Sequence, residues 1–131
     1  MAPSPGWSHQ IDLPARPASA GLARDFVCLH LVAHSLVDLV QDIRLVVSEL
    51  ATNALQHART PFVVTLSMEG RMVVLTLQDE SRLLPIRSEP DVTDMNGRGL
   101  MIVNLLSHAW GISTDDGGSK SVWASFLEPP V

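Results

Sequence analysis

Apolar residues recur along this chain with two different periods, and the changes between them mark out its elements. From Ser19, which predicts an N-cap, the run AGLARDFVCLHLVAH places Leu22, Phe26, Leu29 and Val32 or Ala33 at helical spacing. A second helix is predicted from near Asp38 to about Ala58. Val46, Val47, Leu50, Ala51, Ala54 and Leu55 form its broad apolar face, and Pro61 follows its end. The period then falls to two: FVVTLSM and MVVLTLQD are β-branched, alternating runs joined by Glu69, Gly70 and Arg71, a hairpin signature. GLMIVNLLSHA returns to helical spacing, opening at Gly99. AWGISTD and KSVWASF then predict a last hairpin around an Asp-Asp-Gly-Gly turn. Ahead of all these, Trp7 to Leu13 predicts a short edge strand ended by Pro14 and Pro17. Residues 80–98 are rich in Pro, Arg, Asp and Ser and have no period; loops of that length are more often functional covers than plain connections, so this segment is expected to be a lid. Segregated helices and hairpin-linked strands predict an α+β two-layer sandwich, with helices packed on one face of a mixed, mostly antiparallel sheet. No internal repeat is visible.

Three groups of polar residues interrupt this pattern. Glu49 and Asn53 stand four apart in SELATNALQHA and so share one face of a helix that buries Leu and Val. They read either as a solvated or capping pair, or as a carboxylate that polarises a hydroxyl beside an amide oxygen offered to a hard cation such as Mg²⁺. Asp79 continues the row Val73, Leu75, Leu77 on one face of its strand, which predicts a core-facing acid in need of a donor. That donor is either a neighbouring cation such as Arg82, or the exocyclic amine of a heterocycle with the shape of adenine. Asn96-Gly97-Arg98-Gly99-Leu100 enters a helix. It is either an ordinary Gly-containing turn or a phosphate cradle, where glycines admit close backbone approach and the helix N-terminus offers free N–H groups. Gly117, Gly118, Ser119, Lys120 and Ser121 read first as a hairpin turn. His30, His34, His57 and His108 share no ligand spacing and are assigned structural or surface roles. Cys28 is read as a core residue, and Trp110 and Trp123 as packing residues on the last two strands.

Composition narrows the function. A formal charge of −5 with nine scattered basic residues argues against a nucleic-acid-binding surface. A single cysteine leaves no internal disulfide, and no apolar run approaches a membrane span, so a cytoplasmic protein with no membrane or direct nucleic-acid partner is expected. The length suits one domain with one core.

Taken in order, the acid-and-Asn helix, the strand-ending Asp79, the long loop, the Gly-Arg-Gly helix start and the Gly-rich last hairpin resemble the GHKL superfamily of ATP-binding domains. The closest likeness is to its small members related to anti-sigma-factor serine/threonine kinases. SELATNALQHA looks like the N box and GRGLMIV like the second glycine box. The resemblance implies a Bergerat fold spanning 1–131 as one domain (core about 7–127, lid about 80–98), with ATP and Mg²⁺ as cofactors. By this resemblance Glu49 is the general base, Asn53 ligates Mg²⁺, and Asp79 binds the adenine amine. Gly97, Arg98, Gly99 and Leu100 hold the phosphates, Ser121 takes a hydroxyl position near adenine, and Ala54, His57 and Ala58 line the nucleotide side. The first glycine box departs from the family's Asp-x-Gly-x-Gly, since Ser81 and Leu83 replace both glycines. The implied activity is an ATP-dependent kinase that phosphorylates a STAS-type anti-anti-sigma protein and sequesters a sigma factor, with homodimerisation as in related proteins. The alternative is a noncatalytic sequestering module of the same fold; a histidine-kinase fragment fits less well, because no helix with a phosphoacceptor His precedes the domain.

Overall fold

A computed structural model describes residues 6–80, 97–114 and 119–130, excepting the side chains of residues 57, 58, 98 and 100. Most of the expected lid, with Ser81, Leu83 and Asn96, lies outside the described residues, as do Gly117 and Gly118 of the last turn. The order is β1 (Trp7–Leu13), α1 (Ala18–Ala33), a 3₁₀ turn (Val37–Leu39), α2 (Val40–Asn53), a π-helical turn (Ala54–Ala58), β2 (Phe62–Glu69), β3 (Met72–Asp79), α3 (Gly97–Leu106), β4 (Ala109–Thr114) and β5 (Lys120–Leu127). The strands form one sheet in the order β1-β2-β3-β5-β4. Every pairing is antiparallel, so the antiparallel part of the expected sheet is present and no parallel pair accompanies it among the described residues.

Alternation decides which face of the sheet meets the helices. Phe62, Val64, Leu66 and Met68 of β2 are buried, as are Val73, Leu75 and Leu77 of β3 and Val122, Ala124 and Phe126 of β5. The register sets them in rows: Leu66 opposite Leu75, and Leu75 opposite Ala124. Phe26, Val27 and Leu31 of α1 and Ile43, Val46, Val47 and Leu50 of α2 complete the core with them. Cys28 is half-buried at its margin. The β2–β3 turn has two residues. Gly70 carries φ 64 and Arg71 does not share the positive sign, as a type II′ turn demands.

Helix boundaries differ from the sequence expectation for identifiable reasons. α1 starts at Ala18 with Pro17 as N-cap, so Ser19 does not cap it. Ser19 lies within the first turn, buried, and its hydroxyl donates to the Pro14 carbonyl at 2.6 Å. The long second helix is three pieces: a 3₁₀ turn, α2, and a π turn closed by Arg59 in the left-handed region at φ 56. The Arg59 N–H reaches back to the Ala54 carbonyl at 3.1 Å, the i→i−5 bond of a π turn, a form found often at functional sites. α3 starts at Gly97, two residues before the expected opening. No helix among the described residues is long and apolar enough to cross a membrane.

Candidate functional site

The π turn and the short link after it bring the end of α2 to the end of β3. Thr60, buried in that link, accepts a hydrogen bond from the Glu80 N–H at 3.0 Å, and Phe62 pairs with Asp79 across the β2–β3 ladder. Asn53, the last residue of α2, and Asp79, the last of β3, therefore lie at the same end of the two layers.

On the helix side, α3 packs on α2 and brings Gly99 against the Glu49/Asn53 pair. A Cβ at Gly99 would meet Asn53 Nδ2 at 3.3 Å and Glu49 Oε1 at 3.4 Å. Glycine is required here for closeness of approach, since each additional side-chain atom would press on the pair. Gly99→Val should lower stability by about 1–3 kcal/mol through overpacking, read as a fall in the urea midpoint at unchanged slope, whereas Gly99→Ala needs a shift of only a few tenths of an ångström. Equal midpoints for the parent and Gly99→Val would contradict the contact. Asn53 is 8% exposed, and its Nδ2 has no hydrogen-bond partner. Turning the amide by 180° exchanges nitrogen for oxygen, so this buried end can present a donor or, flipped, an oxygen able to receive a hard cation. Glu49 is half-buried beside it.

On the sheet side, Asp79 faces inward as its place in the apolar row predicts, 1% exposed. Its partner is Lys120, which the register sets directly opposite; Nζ lies 3.9 Å from Oδ2. Lys120 opens β5, as the run KSVWASF predicts, and is not part of the turn. Ser121, one residue on, pairs with Gln78 and projects to the opposite face of the sheet, so the hydroxyl role given to it does not fit; Lys120 occupies the position facing the Asp79 side. The signal that could have found Lys120 is strand parity counted from Val122, which is buried in the core.

The remaining expected residues divide. Ala54 is 4% exposed and belongs to the core. Gly97 begins α3 with Gly99 one turn into its N-terminus, while the side chains of His57, Ala58, Arg98 and Leu100 lie outside the described residues. A concavity of about 420 Å³ lined by Asp12, Val63, Gln78, Glu80 and Ser119 opens near this end of β3. Asp12, Val63 and Gln78 are cross-strand neighbours on the outer sheet face, so it is not the space between Glu49, Asn53 and α3. Among the described residues no group of three His, Cys, Asp or Glu could hold a metal ion; a cation here would depend on Asn53 and on oxygens supplied by a ligand.

Trp110 donates from its indole N–H to Asn104 Oδ1 at 3.1 Å, and the Trp123 ring lies over Gly111 across the β4–β5 ladder, so both are packing residues as expected. His30 and His34, in contrast, are not isolated: with His9 they form a cluster away from this site.

The chain is similar in fold to the RsbU and RsbW domains of Rv1364c from Mycobacterium tuberculosis, with a TM-score of 0.68 at 21% sequence identity. The match covers 99% of this chain and 34% of that one, so the chain spans about a third of that protein's length. No curated protein sequence matches it significantly. The family model for the histidine kinase-like ATPase domain matches residues 13–126, a span that contains α2, β3, the start of α3 and the Asp79–Lys120 pair, and the chain belongs to that family.

Proposed function

We propose that this protein binds MgATP at the end of α2, β3 and α3 and transfers the γ-phosphoryl group to a serine or threonine of a partner protein. The partner in this reading is a STAS-type antagonist of a sigma factor that the protein itself sequesters in the cytoplasm, acting as a homodimer. The observation that carries the reading is the approach of Gly99 to the Glu49/Asn53 pair, beside an Asn53 amide with one buried end left without a partner. These residues fit the nucleotide and its cation: an amide oxygen for the metal, a glycine helix start for phosphate oxygens, and a buried carboxylate for a base amine.

Bound MgATP would supply the phosphoryl group and a cation that offsets its charge. Asn53 holds its amide toward the metal side. The first turn of α3, lacking a Cβ at Gly97 and Gly99, presents backbone N–H groups and the positive end of a helix dipole to phosphate oxygens. Asp79 accepts from the exocyclic amine of adenine, with Lys120 beside it offering a donor to the adjacent ring nitrogen. Glu49 receives the proton of the incoming hydroxyl. Transfer of this kind rests on positioning and charge offset more than on covalent chemistry, so a short list of residues is sufficient. The product phosphate adds about −1.5 to −2 charges, and on a surface facing a protein of net charge −5 this favours release of the modified partner.

One observation favours a second reading, a sequestering module with weakened nucleotide binding: Lys120 already partners the Asp79 carboxylate. Titration with MgATP and ADP separates the two. The kinase reading expects saturable MgATP binding, followed by label transfer from γ-labelled ATP to a STAS-domain protein. No binding at millimolar nucleotide would remove that reading and leave the module.

A further inference from the structure

Three histidines that the candidate site does not use gather where the start of β1 meets the end of α1. Trp7 and His9 project from β1 to the helix side, two residues apart on one strand face, and His30 and His34 stand one turn apart on α1. The His34 ring lies flat on the Trp7 indole, with centroids 3.9 Å apart and an interplanar angle of 6°. His30 lies in the same way on His9 at 3.9 Å and 12°, and Phe26 meets His30 edge-on at 4.8 Å. The two stacks are joined where His9 Nε2 approaches His34 Nε2 to 3.0 Å.

That last contact restricts the charge of the cluster. A hydrogen bond between two imidazole nitrogens uses one proton and one lone pair, so a proton on both Nε2 atoms destroys it, and at most one of the two rings can be cationic. Burial lowers the pKa of His30 below 6.5 first, and repulsion from whichever of its neighbours His9 and His34 carries a proton lowers it further. Among the described residues no ion pair offsets a second charge. From β2 the residues paired with Trp7 and His9 are Met68 and Leu66, and from α1 the ring neighbour is Phe26. Asp25 and Asp38, the acids nearest in α1 and the 3₁₀ turn, are exposed, and the ion pairs among the described residues lie elsewhere, at Arg71–Glu128 and Lys120–Asp79.

We propose that the Trp7–His34 and His9–His30 stacks form a pH-sensitive latch, holding the edge strand β1 on α1 while the trio carries no more than one proton and releasing it when more protons bind. The direction follows from linkage. His30 binds protons less readily folded than unfolded, so its contribution is complete above about pH 6.5 and is lost as pH falls below that value toward the lowered folded pKa. Among the described residues β1 pairs with β2 alone, so its release would bare the β2 edge while leaving the β2–β3–β5 ladder and Asp79 in register.

The test uses the full chain without added metal or nucleotide. Imidazole NMR titration from pH 8 to 5 is paired with amide hydrogen exchange, taking the β3 amides as internal reference. Expected are a His30 titration displaced below the usual value and a loss of β1 protection. The loss relative to β3 should grow as pH falls from 7.5 to 5.5 and stay within about tenfold for each pH unit below 6.5, the most that one coupled proton gives. His30→Phe keeps a ring on His9 and removes one charge, and should reduce the acid loss. A His30 titration at the usual histidine value, or β1 protection that follows β3 throughout, would overturn the proposal. So would an equal acid loss in His30→Phe. Should that variant fail to fold, the parent titration and exchange decide the matter alone.

Discussion

Glu49→Ala is expected to lower phosphoryl transfer to the partner by about 10²–10⁴-fold, the usual contribution of a positioned general base, while MgATP affinity stays close to that of the parent. The reason lies in where Glu49 sits. It is half-buried on the face of α2 that meets Gly99, one turn before Asn53, and it contributes nothing to the apolar core that Leu50, Ala51 and Ala54 build on the opposite side. Its removal therefore leaves the fold and the cation-side amide intact. Single-turnover transfer of labelled phosphate, measured beside MgATP titration, separates the two effects. Glu49→Gln keeps the shape and loses the proton acceptor, so it should be as slow as Glu49→Ala. Full rate in the glutamine variant would take proton acceptance away from this residue and leave it a positioning role.

Asp79→Ala is expected to destabilise the protein by about 3 kcal/mol, the lower end of the range for breaking a buried ion pair. Asp79 is 1% exposed and Lys120 faces it from the neighbouring strand with a side chain that is 18% exposed, so the stranded ammonium can reach some water by shifting along the strand end. A fall in the urea midpoint at constant slope is the measurement. Replacing both partners, Asp79→Leu with Lys120→Met, should recover most of the loss, because the cost comes from leaving one charge without the other. Asp79→Ala should also abolish measurable MgATP binding. If Asp79→Ala unfolds at the parent midpoint, the carboxylate is not a structural partner of Lys120. If it binds MgATP as the parent does, the adenine contact is wrong.

Much of this arrangement was legible because strand parity is unforgiving. Val73, Leu75, Leu77 and Asp79 had to share a face once the hairpin was recognised, and they do. The same rule applied to β5 would have exposed the error at Ser121, but its face depends on where the strand begins, and the Gly-rich run before it blurs that start. Helix ends were harder to read. Ser19 has the chemistry of a cap, yet Pro17, with its φ fixed in the helical range, takes the N-cap position and leaves Ser19 inside the first turn, bonded backward to Pro14. The π turn after Asn53 has no distinct sequence mark, since its apolar residues continue the pattern of α2. The histidine cluster shows most plainly what one-dimensional spacing omits: His30 and His34 are four apart on α1, a usable signal, but His9 reaches them only through the folding of β1 onto that helix.

The β3–β5 ladder runs from Met72 opposite Leu127 to Asp79 opposite Lys120, and it has a consequence for how such a chain can change over time. The register at Asp79 is set by eight paired positions on each strand and by the β2 hairpin behind them, none of which depends on the length of chain between Glu80 and Gly97. Loop-closure entropy grows only with the logarithm of length, so doubling that connection would cost only about 0.6 kcal/mol. Insertions there cost the fold little, so the connection can lengthen and diverge in sequence around an acid whose position the sheet preserves.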